Sequence, residues 1–389
     1  MANLPTCIGH LTASVGWVGK ASGLIRFAKQ VDNIDMWIRN NMRDSMMKQV
    51  VGAALLCCGM ASATSAADYE KYLDLRAAIP SDKAAESLLT DVDVFQNTVI
   101  MVGDRGHILV SSDNGEQWTQ AEVPVQYLLT AVDFGSENKV WAVGHEGVIL
   151  HSADAGKTWQ LQYANPHRVR TDEELNQLTD EEFTKLPQAG SPLLDVWFRD
   201  ELVGFAVGAY GMFLGTEDGG KTWNDVSSRI ENYDGWHLNS IAAGEDGVVY
   251  IAGEKGVLFR SDDGGENWTT LTGPYQGSYF GVLVGPMPDD VFLFGLQGNI
   301  FKSSDRGETW TKAKSKASDG LMDGVLLGSQ GVMLVGNSGV ILTSQDGGAS
   351  FSMQITKSRE ALLAIRKLPN GKLIMVGQGG VQVVAPSTK

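Results

Sequence analysis

Cysteine is scarce in this sequence of 389 residues, and it is unevenly placed. The three cysteines, Cys7, Cys57 and Cys58, all precede residue 68. The chain from residue 68 onward therefore has no thiol, which excludes disulfide bonds, cysteine nucleophiles and thiolate metal sites from it. Its stability must come from noncovalent packing and hydrogen bonding.

Basic residues are also in deficit, with 31 Lys and Arg against 46 Asp and Glu. Removing the six basic and three acidic residues of positions 1–67 leaves a formal charge of −18 on the remainder. A chain this acidic suits neither the phosphate backbone of nucleic acids nor an anionic lipid surface. We therefore expect no nucleic-acid partner and repulsion by anionic lipid surfaces, and no segment after residue 67 is long and apolar enough to span a membrane.

Long apolar runs are absent, and only residues 46–67 approach one. This stretch has a basic start at Lys48, an apolar run of about a dozen residues and a small-residue end at Ala67, the order of a secretory signal. The run is too short for a comfortable membrane span. We expect cleavage after Ala67, with Ala63 as second choice, and a periplasmic or secreted mature chain. Lipid attachment at Cys57 or Cys58 is disfavoured because Leu56 is bulky.

Residues 1–45 precede this signal and show no repeat pattern. An export signal acts at the N-terminus, so we interpret 1–45 as a start-site extension, with Met46 or Met47 as the true start. The alternative is a genuine extension that turns the apolar run into an internal anchor.

Glycine is abundant, at 46 residues, and much of it lies in a repeated unit. A Gly-x-x-Gly turn occurs seven times, at intervals of 41, 64, 45, 42, 41 and 41 residues, and begins at Gly103, Gly144, Gly208, Gly253, Gly295, Gly336 and Gly377. A period near forty with short apolar runs predicts an all-β fold, a seven-bladed β-propeller of four-stranded antiparallel blades over residues 68–389.

Each of the first six turns is followed by Ser/Thr-x-Asp-x-Gly-x-x-Trp, which we call the Asp box; the sixth ends in Phe351. Its Asp can accept hydrogen bonds from its own turn, and its Trp can be buried between blades. Six copies on six blades cannot share one active site, so we assign the boxes a structural role. The residues concerned are Asp113, Asp154, Asp218, Asp263, Asp305, Asp346, Trp118, Trp159, Trp223, Trp268 and Trp310.

The seventh repeat ends without an Asp box or an outer strand. We therefore expect residues 69–79 to supply the missing strand and close the ring, which would remove exposed sheet edges. The long interval after the second repeat is an insertion, residues 165–191. Thr171 followed by Glu174 resembles a capping box and predicts one or two short helices. The insertion is either a solvated decoration or a lid or docking element.

In an up-and-down blade the Gly-x-x-Gly turns, the blade-to-blade connections and the insertion emerge on one face, opposite the Asp boxes. The turns lie between two strands, so they do not fit a phosphate loop, and we expect no cofactor. Their inner positions vary, which suggests a binding rim there, although ordinary loop residues are the alternative. The candidate partner-binding residues are Arg105, His145, Tyr210, Lys255, Trp236, His237, Arg168 and Arg170.

The coupling of Val-Gly-x-x-Gly to the Asp box, as in residues 143–159, 207–223 and 335–351, resembles the Asp-box (bacterial neuraminidase repeat) propellers. Among these it is most similar to the photosystem II stability/assembly-factor family and its relatives in non-photosynthetic bacteria. That resemblance implies a seven-bladed, exported, non-catalytic propeller that helps to assemble or stabilise a membrane protein complex. We expect a protein partner, a subunit of such a complex, and a monomeric chain.

An enzyme is the competing interpretation. Sialidases also carry Asp boxes, and other Asp-box glycosidases use two carboxylates across a cleft. Here Arg105, Arg168, Arg170 and Arg199 form no obvious arginine triad, and no acidic pair is marked. A sialidase-like glycoside hydrolase or a carbohydrate-binding propeller therefore stays open as the alternative, with no catalytic residue assigned.

Overall fold

The computed structural model describes residues 76–164, 190–285 and 287–385. These residues form a seven-bladed β-propeller of antiparallel sheets, which confirms the predicted fold class. Within each blade the strands pair in chain order, from an inner strand at the central channel to an outer one. No helix in this part of the chain has the length and apolar character needed to cross a bilayer.

The first four blades contain sixteen strands. Blade one has β1 (Leu89–Phe95), β2 (Thr98–Gly103), β3 (Ile108–Ser111) and β4 (Thr119–Gln120). Blade two has β5 (Leu129–Phe134), β6 (Val140–Gly144), β7 (Ile149–Ser152) and β8 (Gln160–Tyr163). Blade three has β9 (Leu193–Phe198), β10 (Gly204–Gly208), β11 (Phe213–Thr216) and β12 (Asn224–Asp225). Blade four has β13 (Leu238–Ala243), β14 (Val249–Gly253), β15 (Leu258–Ser261) and β16 (Thr269–Thr270).

The last three blades complete the ring. Blade five has β17 (Tyr279–Val284), β18 (Val291–Gly295), β19 (Ile300–Ser303) and β20 (Thr311–Lys312). Blade six has β21 (Leu321–Leu326), β22 (Val332–Gly336), β23 (Val340–Ser344) and β24 (Ser352–Ile355). Blade seven has β25 (Leu362–Lys367), β26 (Leu373–Gly377) and β27 (Gly380–Val384). The helical elements described are single 3₁₀ turns at Ala84–Glu86, Asp104–Gly106, His145–Gly147, Ala209–Gly211, Ser227–Arg229, Glu254–Gly256, Leu296–Gly298 and Asn337–Gly339.

The hydrophobic core lies between the blades. The second strand of every blade is buried along nearly its whole length, because both of its faces are covered by neighbouring blades. The aromatic residue of each Asp box adds to the preceding junction: Trp159 of blade two, for example, packs with Ile100 and Val102 of blade one. The boxes therefore hold adjacent blades together through apolar contact.

Blade seven and blade one close the ring by side-to-side packing. Val99 and Met101 of blade one share a core cluster with Ile374 and Val376 of blade seven. Blade seven has three strands among the described residues. The predicted closing strand comprises residues 69–79, and the structure describes only residues 76–79 of it. Within residues 76–79, Ala78 donates its N–H to the Val123 carbonyl of blade one at 2.9 Å. Pairing of the closing strand with blade seven stays a prediction.

Other sequence-based expectations also fall outside the described residues. They are the start-site extension 1–45, the signal peptide 46–67 and nearly all of the insertion 165–191 with its expected helices. These stay predictions.

Candidate functional site

The seven Gly-x-x-Gly turns lie on the same face as the connections between blades. In blade two, for example, the N–H of His145 donates to the Leu128 carbonyl just before the inner strand, at 2.8 Å. In blade one, a Cβ on Gly103 would collide with the Leu88 carbonyl, and one on Gly106 with the Val125 carbonyl. Each turn is thus fixed between two connections where only glycine fits. We call this side of the propeller the Gly-turn face.

The residue before the second glycine of these turns is in the left-handed conformation in six blades. The residues are Arg105, Glu146, Tyr210, Lys255, Gln297 and Ser338, with φ between 55° and 65°. A non-glycine residue pays roughly 1 kcal/mol or more for this conformation. Because the same conformation recurs in six blades, it belongs to the turn itself, and only the side chain presented there differs from blade to blade.

Four of the predicted site residues meet on blades three and four. The rings of Tyr210 and His237 pack edge to face, with centroids 5.0 Å apart. The Lys255 ammonium lies 5.7 Å from the centroid of the Trp236 ring. Tyr233, in the same loop, is 87% exposed. We call these five residues the aromatic cluster, and large aromatic side chains next to a cation are typical of protein-binding surfaces.

The loop that carries the aromatic cluster is held rigidly. Asn232 donates from Nδ2 to the Trp236 carbonyl at 2.8 Å, and its Oδ1 accepts from the Trp236 N–H at 3.1 Å. Gly211 of the neighbouring turn lies close to this loop, since a Cβ added there would come within 3.2 Å of the Gly235 Cα. The Glu254 N–H donates to the His237 carbonyl at 2.8 Å, which ties this loop to the Lys255 turn. The cluster is therefore preorganised, which reduces the ordering cost of binding.

The remaining predicted rim residues are separate from this cluster. Arg105 lies on blade one with a side chain that is 77% exposed, and its nearest ionic contact is its own neighbour Asp104 at 3.4 Å. His145 is exposed on blade two. Arg168 and Arg170 lie outside the described residues. The described end of the insertion does reach this face, because Gly190 packs against the Glu146 carboxylate.

On the opposite face, the Asp-box carboxylates are fully engaged within their turns. Asp154 Oδ1 accepts from the N–H groups of Lys157 and Thr158 at 3.1 and 2.9 Å, and Oδ2 accepts from the Thr158 hydroxyl at 2.7 Å. The Trp159 indole donates to the Gly156 carbonyl at 2.8 Å. Similar hydrogen bonds lower the pKa of Asp305 and Asp346 to about 2. These contacts support the structural role that the sequence suggested.

The sequence analysis missed a ring of charged residues in the central channel. We call it the channel ring: Asp91, Asp93, Asp133, Asp195, Asp323 and Arg366. Each carboxylate reaches the next blade and accepts a backbone N–H from its inner strand, at 2.6–3.1 Å; the donors are Val132, Phe134, Phe198, Ile241 and Ile365. The ring thus connects blades one to four and blades six and seven.

Arg366 completes the channel ring at the junction of the last and first blades. Its guanidinium donates to the Asp323 carboxylate of blade six and to the Ile365 carbonyl. The same group lies 3.7 Å from Asp91 and 3.8 Å from Asp93 of blade one. One side chain therefore links three blades across the ring closure.

Burial raises the pKa of Asp91, Asp93, Asp133 and Asp195, despite the opposing effects of Arg366 and the N–H donors. It raises the pKa of Asp91 to about 7 and that of Asp195 to about 6. A raised carboxylate pKa in a cleft is also a feature of acid–base catalysts. Here each of these carboxylates already accepts a backbone N–H from a neighbouring blade, which favours a structural role. Among the described residues, no group of three His, Cys, Asp or Glu side chains could hold a metal ion.

The comparisons with known proteins agree on one family. The family model described as "Photosynthesis system II assembly factor YCF48" matches residues 79–168 and 174–276. The chain is 46% identical over 79 residues to the photosystem II assembly lipoprotein Ycf48 of Synechococcus sp. (strain CC9902), covering 20% of this chain and 23% of that one. It is 36% identical over 109 residues to the chloroplastic stability/assembly factor HCF136 of Arabidopsis thaliana, covering 26% of each. The chain thus spans about a quarter of the curated relatives it matches.

The fold comparison covers more of the chain. A solved structure titled "YCF48 bound to D1 peptide" superposes with a TM-score of 0.61 at 18% identity, over 78% of this chain and 95% of that one. At this identity the likeness establishes the fold alone. Together with the matching repeats, these comparisons show that the chain belongs with the YCF48-like photosystem II assembly-factor propellers.

Proposed function

We propose that this protein is an exported, non-catalytic propeller that binds a segment of a membrane-complex subunit on its Gly-turn face and helps that complex to assemble. The observation that carries the proposal is the aromatic cluster, where Tyr210, Trp236, His237 and Lys255 meet on a rigid loop. The relative titled as bound to a D1 peptide supports binding of a peptide segment by this fold.

The surface chemistry also indicates what kind of segment would bind. An exposed aromatic side chain contributes large contact area at low entropic cost, and a cation beside it favours a carboxylate or a backbone carbonyl. On a chain with a formal charge of −15, a surface cation is a local exception. We therefore expect an extended segment with an apolar side chain and an acidic group.

Function as an assembly factor rather than an enzyme is supported by the engagement of the Asp-box and channel-ring carboxylates. The Asp-box acids bond to their own turns, and the channel acids bond to the neighbouring blade. Export is supported by the signal-like residues 46–67 and by the lipoprotein name of a relative. Hydrolysis of a sialoside or another glycoside by the purified protein would overturn the non-catalytic assignment.

The left-handed positions offer a direct test of the binding surface. A Tyr210→Gly/Lys255→Gly variant removes two cluster side chains and also relieves their backbone strain, so it should fold and melt like the wild type within about 1 kcal/mol. A Gln297→Gly/Ser338→Gly variant makes the same backbone change on blades five and six and is the matched control. The measurement is affinity capture from detergent-solubilised envelope, quantified by mass spectrometry.

We expect the Tyr210→Gly/Lys255→Gly variant to capture at least about tenfold less of a specific membrane-protein partner than the wild type captures, because it lacks two central contacts. The Gln297/Ser338 control should retain that partner. Equal capture by both variants, or greater loss in the control, would contradict the assignment of the surface.

A further inference from the structure

The channel ring holds more negative charge than its cation balances. Five carboxylates project from β1, β5, β9 and β21, and Arg366 on β25 is the one cation facing them within the described residues. The remaining inner strands, β13 and β17, contribute the uncharged Asn239, Ser240 and Phe280 to the channel wall. Asp91, Asp195, Asp323 and Arg366 line the same small cavity, of about 290 Å³. Full ionisation therefore leaves an excess of four negative charges in a confined space.

The carboxylates cannot relieve this repulsion by turning away. Asp195, for example, accepts from the N–H of Val196 with one oxygen and from the N–H of Ile241 with the other, both at 2.8 Å. Asp91 is held in the same way by Val92 and Val132. Since these bonds join one blade to the next, rotation of the side chain would break a junction. The remaining way to relieve the repulsion is to bind a proton.

We propose that the channel ring makes closure of this propeller sensitive to pH. The folded ring takes up protons in mildly acidic solution and is then held most tightly. As Asp91, Asp93, Asp133 and Asp195 ionise towards neutral and alkaline pH, their repulsion loosens the blade junctions, first at the junction of blades seven and one, where Arg366 contacts Asp91 and Asp93.

The direction of the effect follows from proton linkage. The pKa of Asp91 rises from 3.8 to about 7 on folding, and that of Asp195 rises to about 6, mainly through burial. The folded state therefore binds more protons than the unfolded state between about pH 4 and 7, and stability is lost as pH rises through this window. His107 and His151 act in the opposite direction, since burial lowers their pKa. A comparison of variants must cancel their contribution.

The test is the melting temperature of the full chain between pH 5 and pH 8, for wild type and for Asp91→Asn/Asp195→Asn. Asparagine keeps an acceptor oxygen but cannot ionise, and both proteins keep the histidines. We expect the wild-type melting temperature, relative to the variant, to fall by at least about 4 °C from pH 5 to pH 8. Asp154→Asn, in an Asp box, is the matched control and should show the wild-type slope.

A constant difference between wild type and the double variant over this range would overturn the proposal. If the double variant does not fold, the single Asp195→Asn variant takes its place. Proton exchange on unfolding is an independent readout: at pH 6 the wild type should release protons when guanidinium unfolds it, after correction for the histidines. Proton uptake or no exchange would also overturn the proposal.

Discussion

Arg366→Leu tests how the ring is closed, because it removes the guanidinium that faces the channel carboxylates. The lost contacts are a charge-assisted hydrogen bond to Asp323, a hydrogen bond to the Ile365 carbonyl, and ionic contacts at 3.7 and 3.8 Å with Asp91 and Asp93. Leaving buried carboxylates without their counterion typically costs 3–5 kcal/mol. The Arg366 side chain is 32% exposed, so solvent screens part of this, and we expect a loss of about 2–4 kcal/mol.

The assay is guanidinium unfolding at pH 8, followed by tryptophan fluorescence, with the variant Arg306→Leu as control. Arg306 also lies among carboxylates, Asp289 at 2.7 Å and Asp246 at 3.0 Å, but on the Asp-box surface. Exposed pairs of this kind contribute about 1 kcal/mol or less. A second substitution, Asp323→Asn, should recover part of the Arg366→Leu loss, since it removes one unbalanced charge.

The loss in Arg366→Leu should also shrink at pH 5, where protonated carboxylates need the guanidinium less. If Arg366→Leu unfolds at the same denaturant concentration as wild type, or loses no more stability than Arg306→Leu at both pH values, Arg366 does not close the ring. Closure would then rest on the apolar packing of blade seven against blade one.

Three further predictions concern the repeats and the N-terminus. Asp154→Ala should cost roughly 1–3 kcal/mol in chemical denaturation, because two turn N–H groups lose their acceptor, while affinity for the partner stays unchanged in the folded fraction. Gly106→Ala should cost about 2–4 kcal/mol, since its Cβ would collide with the Val125 carbonyl at φ +72°, whereas Gly371→Ala, at φ +82° in open space, should cost only about 1 kcal/mol. N-terminal sequencing of the exported protein should give Asp68, or Thr64 as second choice; a mature chain that retains residues 1–45 would contradict the signal assignment.

The blade architecture could be predicted because its determinants are local and repeated. The glycines of each turn are required by close backbone approaches, such as that of Gly103 to the Leu88 carbonyl. The Asp box closes its own hydrogen bonds within five residues, from Asp154 to Thr158. Such signals can be recognised in the sequence without knowledge of the partner strand, and the seven turns and six boxes reinforce one another.

The channel ring could not be predicted in the same way, since its contacts between blades join residues 41 or more positions apart. Asp91 meets Val132, and Arg366 meets Asp323 and Asp91, only after the ring has formed. A signal was present in β1, where Asp91 and Asp93 alternate with apolar residues on an inner strand expected to be buried. Carboxylates on a strand that is largely buried require hydrogen-bond donors, and here the donors are backbone N–H groups of the next blade.

The candidate site was predicted in part. Tyr210, Trp236, His237 and Lys255 were selected for their residue type and their position on the Gly-turn face, and the structure brings them together. The sequence did not separate them from Arg105 and His145, because distance around the ring depends on blade geometry. It also did not reveal that Tyr210 and Lys255 are left-handed, since a turn with two glycines gives no reason to expect a third such residue between them.

The central claim is that a membrane-complex subunit binds the aromatic cluster. The most direct measurement is site-specific photocrosslinking in cells, with a photoreactive phenylalanine at Tyr210 and, in separate strains, at Leu296 of blade five and at Leu202 on the Asp-box side; all three side chains are exposed. The account predicts an adduct to a membrane-complex subunit from position 210, mapped by mass spectrometry to one extended segment, and none from positions 296 and 202. The same adduct from position 202 without one from position 210 would contradict it.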